Sequence, residues 1–310
     1  MSGYSAKLII RAAVVSDVPG IVSLGREVDR DQLASESSLR ALLERPAGPA
    51  TERLVAERVG RIVAWAPSGI YSSRDGWLWI GVAPSERRRG LGAALYDRIE
   101  TRLRGCGAVR IATAPSDEDG RRFLLARGFE IAAVVRNSEL DPRTVTASAE
   151  PAPGLRVAAL AEALGQAPAL YRLYAEGRAD VPSATPRPPW TFEEWRAETI
   201  DAPLTDLDAS VVVFEGDEPV ALAWLSSDRP GRRAEALMAA TRRDRRGRGL
   251  ATLAKIESVH RAAALGITRI LTSNDLANAP MLAVNRRLGF TEAAVAESFV
   301  KHVGPGTPAA

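Results

Sequence analysis

Two stretches of the chain contain short apolar runs that are separated by polar or turn residues, as successive β-strands are. Residues 53–67 read RLVAERVGRIVAWAP, and residues 210–227 read SVVVFEGDEPVALAWLSS. Each stretch is long enough for two strands, and the EGDEP segment of the second predicts a tight turn between them. Residues 8–11 and 155–157, which come earlier in each half, are also strand-like. The pattern therefore predicts similar strands in both halves of the chain.

A different period predicts a helix in the second half. Four apolar residues recur at a spacing of three and form one face: Leu250, Leu253, Ile256 and Val259. The strand-like runs EALMAAT and ITRILTSN flank this helix, and GWLWIGVAP and VRIATAP take the same places in the first half. A last helix in each half is expected to end at Gly128 or Gly289, since glycine is favoured just past a helix C-terminus. This order predicts βαβ crossovers within α/β (α+β) domains.

Landmarks recur in the same order in both halves. They are Trp65 with Trp224, Gly90 with Gly249, and Phe129 with Phe290. The first two pairs are 159 positions apart and the third is 161 apart, whereas the opening strands at Arg11 and Arg156 are only 145 apart. A duplicated domain with an insertion in its second copy explains these offsets, and residues 181–195 are the candidate insertion.

A segment without apolar periodicity separates the two copies. Residues 141–154 read DPRTVTASAEPAPG and are rich in Pro, Ala, Ser and Thr, which suits an exposed linker. The sequence therefore predicts an N-terminal domain at residues 1–145 and a C-terminal domain at residues 146–310.

Composition narrows the classes of protein that the chain could be. The 310 residues carry a formal net charge of +3, so the clusters of arginine matter more than the overall charge. One cysteine excludes a disulfide within the chain, and two histidines argue against a metal site rich in Cys or His. No apolar run is long enough to span a bilayer, and the first residues lack the pattern of a secretory signal. We therefore expect no metal, no membrane association and a cytoplasmic location.

Arginines followed by glycines precede the central helix of each copy. The segments are SERRRGLGAALYDR at residues 85–98 and RRDRRGRGLATLAK at residues 242–255. A helix N-terminus presents unpaired N–H groups and partial positive charge, and glycine lets a ligand approach the backbone closely. Flanking guanidinium groups add charge-assisted hydrogen bonds, so each segment is suited to a pyrophosphate. The simpler interpretation, a loop with solvated arginines, is weakened by the recurrence of the segment at the same place in both copies.

Other phosphate motifs fit less well. A Walker loop needs Gly-Lys-Ser or Gly-Lys-Thr, which neither copy contains. The dinucleotide fingerprint needs a third glycine where the two copies have Leu95 and Thr252. Nucleic-acid binding is disfavoured as well, because no aromatic residues for base stacking are interleaved with the arginines.

The pattern Arg/Gln-x-x-Gly-x-Gly/Ala resembles the coenzyme A pyrophosphate loop of the GNAT N-acetyltransferase superfamily. The matching residues are Arg87, Arg88, Arg89, Gly90, Leu91 and Gly92 in the first copy, and Arg246, Gly247, Arg248, Gly249, Leu250 and Ala251 in the second. The ending NAPMLAVNRRLGF at residues 278–290 is similar to the penultimate helix of the family. The resemblance implies two tandem GNAT-type domains, each a mixed, mainly antiparallel sheet flanked by helices, with acetyl-CoA as the acetyl donor.

Further positions follow from the resemblance. The strand before the second loop would pair with the pantetheine arm of the coenzyme through Ala239, Ala240 and Thr241, and Val82 would take the corresponding place in the first copy. Asn278 matches a family asparagine that contacts the coenzyme arm, although a helix N-cap accounts for it equally well. Glu235 lies where many relatives keep a catalytic glutamate that removes a proton from the amine.

The chain departs from the family pattern at the proton donor. The tyrosine that protonates the leaving thiolate is expected five residues before the final Phe, where this chain has Asn285 and Leu124. The first copy also has Asp117 in place of the family asparagine, an anion poorly suited to a site near phosphates. The second copy is therefore the expected catalyst, and the first is expected to be structural or coenzyme-binding.

These observations favour an N-acetyltransferase acting on a small-molecule amine, as a monomer or a homodimer. Two alternatives stay open. The missing tyrosines are compatible with a non-catalytic protein that binds coenzyme A or regulates another process. The tandem arrangement is also similar to that of mycothiol synthases, which would imply acetylation of a cysteinyl amine.

Overall fold

The computed structural model describes residues 7–29, 35–48, 50–71, 74–181 and 189–304. These residues divide into two compact units. Unit 1 holds the described residues up to Ala133 and those from Glu297 onward, and unit 2 holds those between Val134 and Ala296. The boundary between residues 145 and 146 stays a prediction, and residues 182–188 of the proposed insertion lie outside the described residues.

Unit 1 contains a mixed sheet and four helices. Its strands are β1 (Leu8–Ala12), β2 (Glu52–Arg58), β3 (Arg61–Ile70), β4 (Asp75–Leu78), β5 (Gly81–Val82) and β6 (Arg110–Thr113). Its helices are α1 (Val18–Val28), α2 (Glu36–Glu44), α3 (Leu91–Gly105) and α4 (Glu118–Leu125). The strands lie in the order β1-β2-β3-β4-β6, with β5 also paired to β3, and all neighbours are antiparallel except β4 and β6.

Unit 2 repeats this arrangement. Its strands include β8 (Leu155–Ala159), β9 (Val211–Glu215), β10 (Glu218–Asp228), β11 (Arg233–Thr241) and β12 (Arg269–Asp275). Its helices are α5 (Ala167–Ala179), α6 (Phe192–Glu198), α7 (Leu250–Ala264) and α8 (Ala279–Arg287). The order β8-β9-β10-β11-β12 is antiparallel except for the parallel pair of β11 and β12. The predicted fold class, tandem mixed sheets flanked by helices, is confirmed.

Each sheet is completed by a strand from the other half of the sequence. Two strands do this, β7 (Glu130–Leu140) and β13 (Thr291–His302). In unit 2, β7 pairs with β12 between Val135–Asp275 and Leu140–Ile270. In unit 1, β13 pairs with β6 between Phe299–Thr113 and His302–Arg110. The repeat in the sequence did not predict this exchange.

Local predictions from the sequence are confirmed in both units. Helix α7 begins at Leu250, and Gly216 turns the chain between β9 and β10 with φ +61°. Gly128 and Gly289 follow the last helices with φ of +77° and +88°, the left-handed conformation expected just past a helix end.

The landmark tryptophans lie in the cores. Trp65 is buried in unit 1, and in unit 2 Trp224 packs edge-on against Trp195 with ring centroids 6.4 Å apart. Both tryptophans therefore contribute to the packing of the cores. Within the described ranges, no helix has the length and apolarity needed to cross a membrane, and no group of three or more His, Cys, Asp or Glu is placed to hold a metal.

Candidate active site

The central helix of each unit begins at a glycine in the left-handed conformation. Gly90 has φ +83° and precedes α3, and Gly249 has φ +75° and precedes α7. A Cβ added to either glycine would meet no atom within 4 Å, so the space over the backbone is open. A side chain at these positions would be strained and would narrow that space.

The first backbone donors of both helices lie next to these glycines and have no partner within the helix. The first intrahelical hydrogen bonds run from Ala94 N–H to Gly90 O, 3.0 Å, and from Leu253 N–H to Gly249 O, 2.9 Å. The N–H groups of the preceding residues therefore have no partner within the helix and can bind an anion. Leu91 and Leu250 are buried, so they offer backbone rather than side chain, while Gly92 and Ala251 follow them in the first turn.

The two loops share a hydrogen bond that holds the first arginine of the motif. Arg87 Nε donates to Val82 O over 3.1 Å, and Arg246 Nε donates to Thr241 O over 3.2 Å. Both pairs are separated by five residues and lie 159 positions apart in the chain. Each arginine thus ties its loop back to the end of the preceding strand, which is a structural role in addition to the predicted phosphate contact.

The remaining arginines differ between the units. In unit 1 the Arg88 side chain makes no hydrogen bond or ion pair with a described residue, and its φ is +61°, while Arg89 pairs weakly with Glu86. In unit 2 both flanking arginines of the motif are engaged by carboxylates: Arg246 by Asp180, and Arg248 by Glu215 at 2.9 Å. These guanidinium groups of unit 2 are therefore already paired with carboxylates, and their contact with phosphate stays a prediction.

Those carboxylates carry charge at neutral pH. Hydrogen bonds from Arg243 and then Arg246 lower the pKa of Asp180 to about 2. Glu215 accepts hydrogen bonds from Arg248 and Arg245, which lower its pKa as well. The Glu176 carboxylate also accepts the Arg243 main-chain N–H. A pyrophosphate in unit 2 must therefore compete with acidic side chains, whereas Gly247 keeps open space beside its backbone with φ +76°.

Unit 1 has the larger cleft. A cavity of about 570 Å³ lies beside its loop. Phe123 lines it, together with five of the residues predicted to contact coenzyme: Val82, Arg87, Arg88, Gly90 and Gly92. The cavity also contains Asp117, whose charge is balanced by Arg87 at 2.7 Å and whose side chain caps α4 through the Gly120 N–H. Asp117 therefore repels a nearby phosphate less than an unpaired carboxylate would, because the Arg87 guanidinium neutralises its charge.

Unit 2 has a narrow cleft where β11 and β12 separate. Their parallel pairing ends at Glu235 and Leu271. Trp224 pairs with Met238 while Leu225 pairs with Ala236, so Leu237 is an extra residue that bulges from β11. The cleft beyond this point measures about 30 Å³ and is lined by Leu237, Met238 and Ala239 among others. The backbone edge of β11 after the bulge is not paired with β12 and is available to a ligand.

Ala240 and Thr241, the other two residues of β11 predicted to contact the coenzyme, are only partly exposed to the cleft. Ala240 is buried, and a Cβ added to Gly177 of α5 would lie 2.5 Å from the Ala240 Cβ. Ala240 therefore packs against α5 and offers only its backbone. Thr241 pairs with Ala221 at the end of the strand, just before the loop.

Glu235 lies at the point where the strands separate. It faces Ser226 on β10 and Leu271 on β12. Its neighbours Ala234 and Ala236 belong to the apolar cluster formed with α7, so strand alternation places the Glu235 side chain on the opposite face. Burial raises the pKa of Glu235 above its usual range. The raised pKa makes Glu235 a stronger base than a fully solvated glutamate, and the corresponding residue of unit 1 is Gly76, which lacks any such group.

Asn278 caps helix α8. Its Oδ1 accepts the Met281 N–H over 3.3 Å, as Asp117 accepts the Gly120 N–H in unit 1. The capping interpretation of Asn278 is confirmed, and its contact with coenzyme stays a prediction.

A buried polar group stands at the position of the missing tyrosine. Asn285 is 2% exposed, its Oδ1 accepts a hydrogen bond from Lys255 Nζ, and its Nδ2 donates to Asn274 Oδ1 over 2.7 Å. Lys255 was not among the residues that the sequence patterns singled out. A signal existed, because Lys255 lies 159 positions after Tyr96 and between the apolar positions of α7, where a solvated lysine is out of place.

Comparison with known proteins places these features in context. The chain matches the acetyltransferase (GNAT) family profile twice, over residues 24–129 and 168–290. It is 36% identical over 73 residues to Acetyltransferase plu1384 from Photorhabdus laumondii, which covers 23% of this chain and half the length of that relative.

Two solved structures are similar to this chain over 97% of its length. A GCN5-related N-acetyltransferase from Sphaerobacter thermophilus superposes with a TM-score of 0.73 at 20% identity, covering 97% of this chain and 98% of that one. A tandem GNAT protein from the clavulanic acid biosynthesis pathway gives a TM-score of 0.75 at 17% identity, covering 97% and 100%. At these identities the likeness concerns the fold alone.

Proposed function

Because the chain belongs to the acetyltransferase (GNAT) family, we propose that it transfers the acetyl group of acetyl-CoA to the amine of a small molecule, with the chemistry in unit 2. The observation that supports this most directly is the pair of glycine-opened helix starts, each with open space over its first N–H groups. Such a start fits the pyrophosphate of coenzyme A. The family uses acetyl-CoA or another acyl-CoA, and the choice of acetyl belongs to the proposal.

The residues of unit 2 supply the parts that amine acetylation needs. Glu235 accepts a proton from the nitrogen of the neutral amine, directly or through water, as that nitrogen attacks the thioester, because the amide product must lose this proton. Backbone N–H groups of β11 beside the Leu237 bulge stabilise the negative charge on the thioester oxygen, a contribution worth about 3 kcal/mol. The unpaired strand edge and the loop from Arg246 to Ala251 hold the coenzyme arm and its phosphates.

Unit 1 supports a second candidate role. Its cavity is far larger than the cleft of unit 2, about 570 Å³ against about 30 Å³, and Arg88 makes no ion pair there with a described residue. Gly76 and Leu124 take the places of Glu235 and Asn285. We infer that unit 1 binds coenzyme A without catalysing transfer, either as a structural ligand or to regulate the protein.

The test combines binding with turnover. Acetyl-CoA should raise the melting temperature of the full chain, and a panel of small amines should include at least one that releases free thiol from acetyl-CoA. Stabilisation without thiol release from any amine would favour coenzyme binding alone. Absence of both would overturn the assignment.

A further inference from the structure

A buried lysine lies beside the position where the family pattern has its proton donor. Lys255 is 5% exposed on helix α7. Its Nζ donates a hydrogen bond to Asn285 Oδ1 on α8, lies 3.8 Å from the Met281 sulfur, and lies 5.2 Å from the centre of the Phe290 ring. Asn285 is held in turn by Asn274 on β12, over 2.7 Å. These contacts of the Lys255 ammonium are all with uncharged groups, and Asn274 holds the asparagine that accepts its hydrogen bond.

No described carboxylate forms an ion pair with Lys255. The charged side chains of the strands packed against α7 have other partners: Glu215 with Arg245 and Arg248, Glu218 with Arg242, and Asp228 with Arg233. On the neighbouring elements Arg269 pairs with Glu139, and Asp275 accepts the Ala277 N–H. Glu235 is the remaining titratable group on β11, and strand alternation turns it to the opposite face. Burial alone lowers the pKa of Lys255 to about 8.

Lys255 also reaches the cleft. It lines the space between β11 and β12 together with the bulged Leu237, Ala239 and Asn274. Lys255 therefore borders the cleft in which a thioester would lie along the edge of β11, and it does so on the side of the strand opposite Glu235. With Glu235 as the base on one face of β11 and Lys255 as the acid on the other, the amine can enter from the side of Glu235 while the thiolate leaves toward Lys255.

We propose that Lys255 is the catalytic acid that protonates the departing thiolate of the coenzyme in unit 2, with Asn285 as the residue that positions it. This inference rests on the proposed acetyl transfer. The family pattern has a tyrosine where this chain has Asn285 in unit 2 and Leu124 in unit 1, and neither side chain can donate a proton as a phenol does. The inference assigns this proton transfer to Lys255, which Asn285 holds in place.

The step balances in atoms and charge. The amine nitrogen forms a bond to the acetyl carbon and gives a proton to Glu235, while the carbon–sulfur bond breaks and its electron pair goes to sulfur. Lys255 gives a proton to that sulfur and becomes a neutral amine. Solvent then returns a proton to Lys255 and removes one from Glu235, so that acetyl-CoA and an amine yield an amide and coenzyme A.

Binding gives a readout that needs no acceptor. Calorimetry on the full chain should compare coenzyme A with desulfo-coenzyme A, which lacks the thiol, between about pH 6.5 and 9.5. The ammonium of Lys255 favours the thiolate, so the wild type should prefer coenzyme A about tenfold near pH 8 in one of its sites. Lys255→Met should abolish the preference, and Lys301→Met, the matched control in unit 1, should keep it. An equal preference in the wild type and in Lys255→Met would overturn the inference.

Turnover measurements distinguish proton donation by Lys255 from an effect of its positive charge alone. Lys255→Met should lower kcat about 100-fold with little change in the KM for acetyl-CoA. Lys255→Arg keeps a cation that cannot release its proton, so it should keep the thiol preference and still lose turnover. Adding Asn285→Tyr to Lys255→Met should restore part of kcat. An acetyl thioester of an acidic arylthiol should show a smaller defect in Lys255→Met, because its thiolate leaves without protonation.

The outcomes distinguish the two proposals. A wild type that releases no thiol with any amine contradicts the proposed function. A wild type that turns over while Lys255→Met matches its kcat and its pH profile contradicts only the role of Lys255. Equal activity of Lys255→Arg and wild type would likewise exclude proton donation by this residue.

Discussion

Lys255 and Tyr96 occupy equivalent positions of the two repeats, 159 residues apart. Both side chains are buried, and the polar atom of each forms a hydrogen bond within its own unit. Lys255 bonds to Asn285, whereas Tyr96 Oη accepts a hydrogen bond from Lys301 over 2.9 Å. Burial, ahead of a hydrogen bond with Glu100, raises the pKa of Tyr96. The duplicated helix thus keeps a polar interior site in both copies but fills it with a proton donor of different acidity.

The buried Lys255 makes stability depend on pH. The folded protein loses this proton near pH 8, and the unfolded chain loses it near pH 10.4, so the unfolded state binds more protons between these values. The free energy of unfolding of the wild type should therefore rise with pH across this window, by up to about 3 kcal/mol. Lys255→Met should lack the rise. Urea unfolding at about pH 7.5 and 9.5 measures it, and parallel changes in the two proteins would contradict the burial of a titrating lysine.

Glu235→Gln should abolish most turnover while leaving coenzyme binding intact. The glutamine keeps the shape of the side chain but cannot take a proton, so kcat should fall about 100- to 10,000-fold. Since burial raises the pKa of Glu235, kcat/KM of the wild type should increase with pH through that raised value. The variant should lose this limb of the profile.

Glu193→Gln is the matched control for Glu235. Glu193 is an exposed residue in the first turn of α6, and Thr191 and Glu194 rather than Glu193 form the capping box there. This variant should keep the wild-type kcat. Unchanged kinetics in Glu235→Gln would remove the base from the proposed mechanism.

Gly90→Ala and Gly249→Ala should each weaken coenzyme binding in one unit. Alanine at a positive φ costs about 1–2 kcal/mol and places a methyl group in the open space, so affinity should fall about tenfold or more. Calorimetry on the full chain should show one site weakened by each change.

Gly105→Ala is the control for these substitutions. Gly105 ends helix α3 without a positive φ, and an added Cβ there meets nothing within 4 Å. This variant should bind like the wild type. Loss of both sites through either single loop substitution would contradict independent binding by the two loops.

Asp180→Asn should tighten binding in unit 2. Asp180 accepts hydrogen bonds from both Arg243 and Arg246, and its removal frees two guanidinium groups for phosphate. The pairs are largely exposed, so the gain should be modest, about fivefold in affinity, and should shrink as salt is added. Asp208→Asn, which breaks an exposed pair with Arg229, is the control and should leave affinity unchanged. No tightening in Asp180→Asn would mean that the carboxylate does not compete with phosphate.

The sequence correctly predicted those features of the fold that depend on residues close together in the chain. The spacing of Leu250 and Leu253 predicted the start of α7, and the glycines at 128 and 289 predicted helix ends, because periodicity and backbone freedom act over a few residues. The arginine–glycine segments predicted where both central helices start for the same reason.

Other features depend on residues far apart in the sequence. Asp180 lies more than sixty residues from the arginines that it binds, and the Lys255–Asn285 bond spans thirty. The different volumes of the two clefts arise from how strands and helices pack, and no single motif records them. The exchange of β7 and β13 was missed because strand pairing with a distant partner leaves no mark on either strand alone.

That exchange imposes an order on synthesis. The sheet of unit 1 needs Phe299–His302 beside β6, so a nascent chain that carries the other strands of this sheet leaves β6 unpaired on that side until the ribosome has made these residues. Unit 2 receives β7 early, before the strand that it joins. The half that is translated first is therefore completed last, and cutting the gene between the repeats would leave two fragments, each carrying the closing piece of the other.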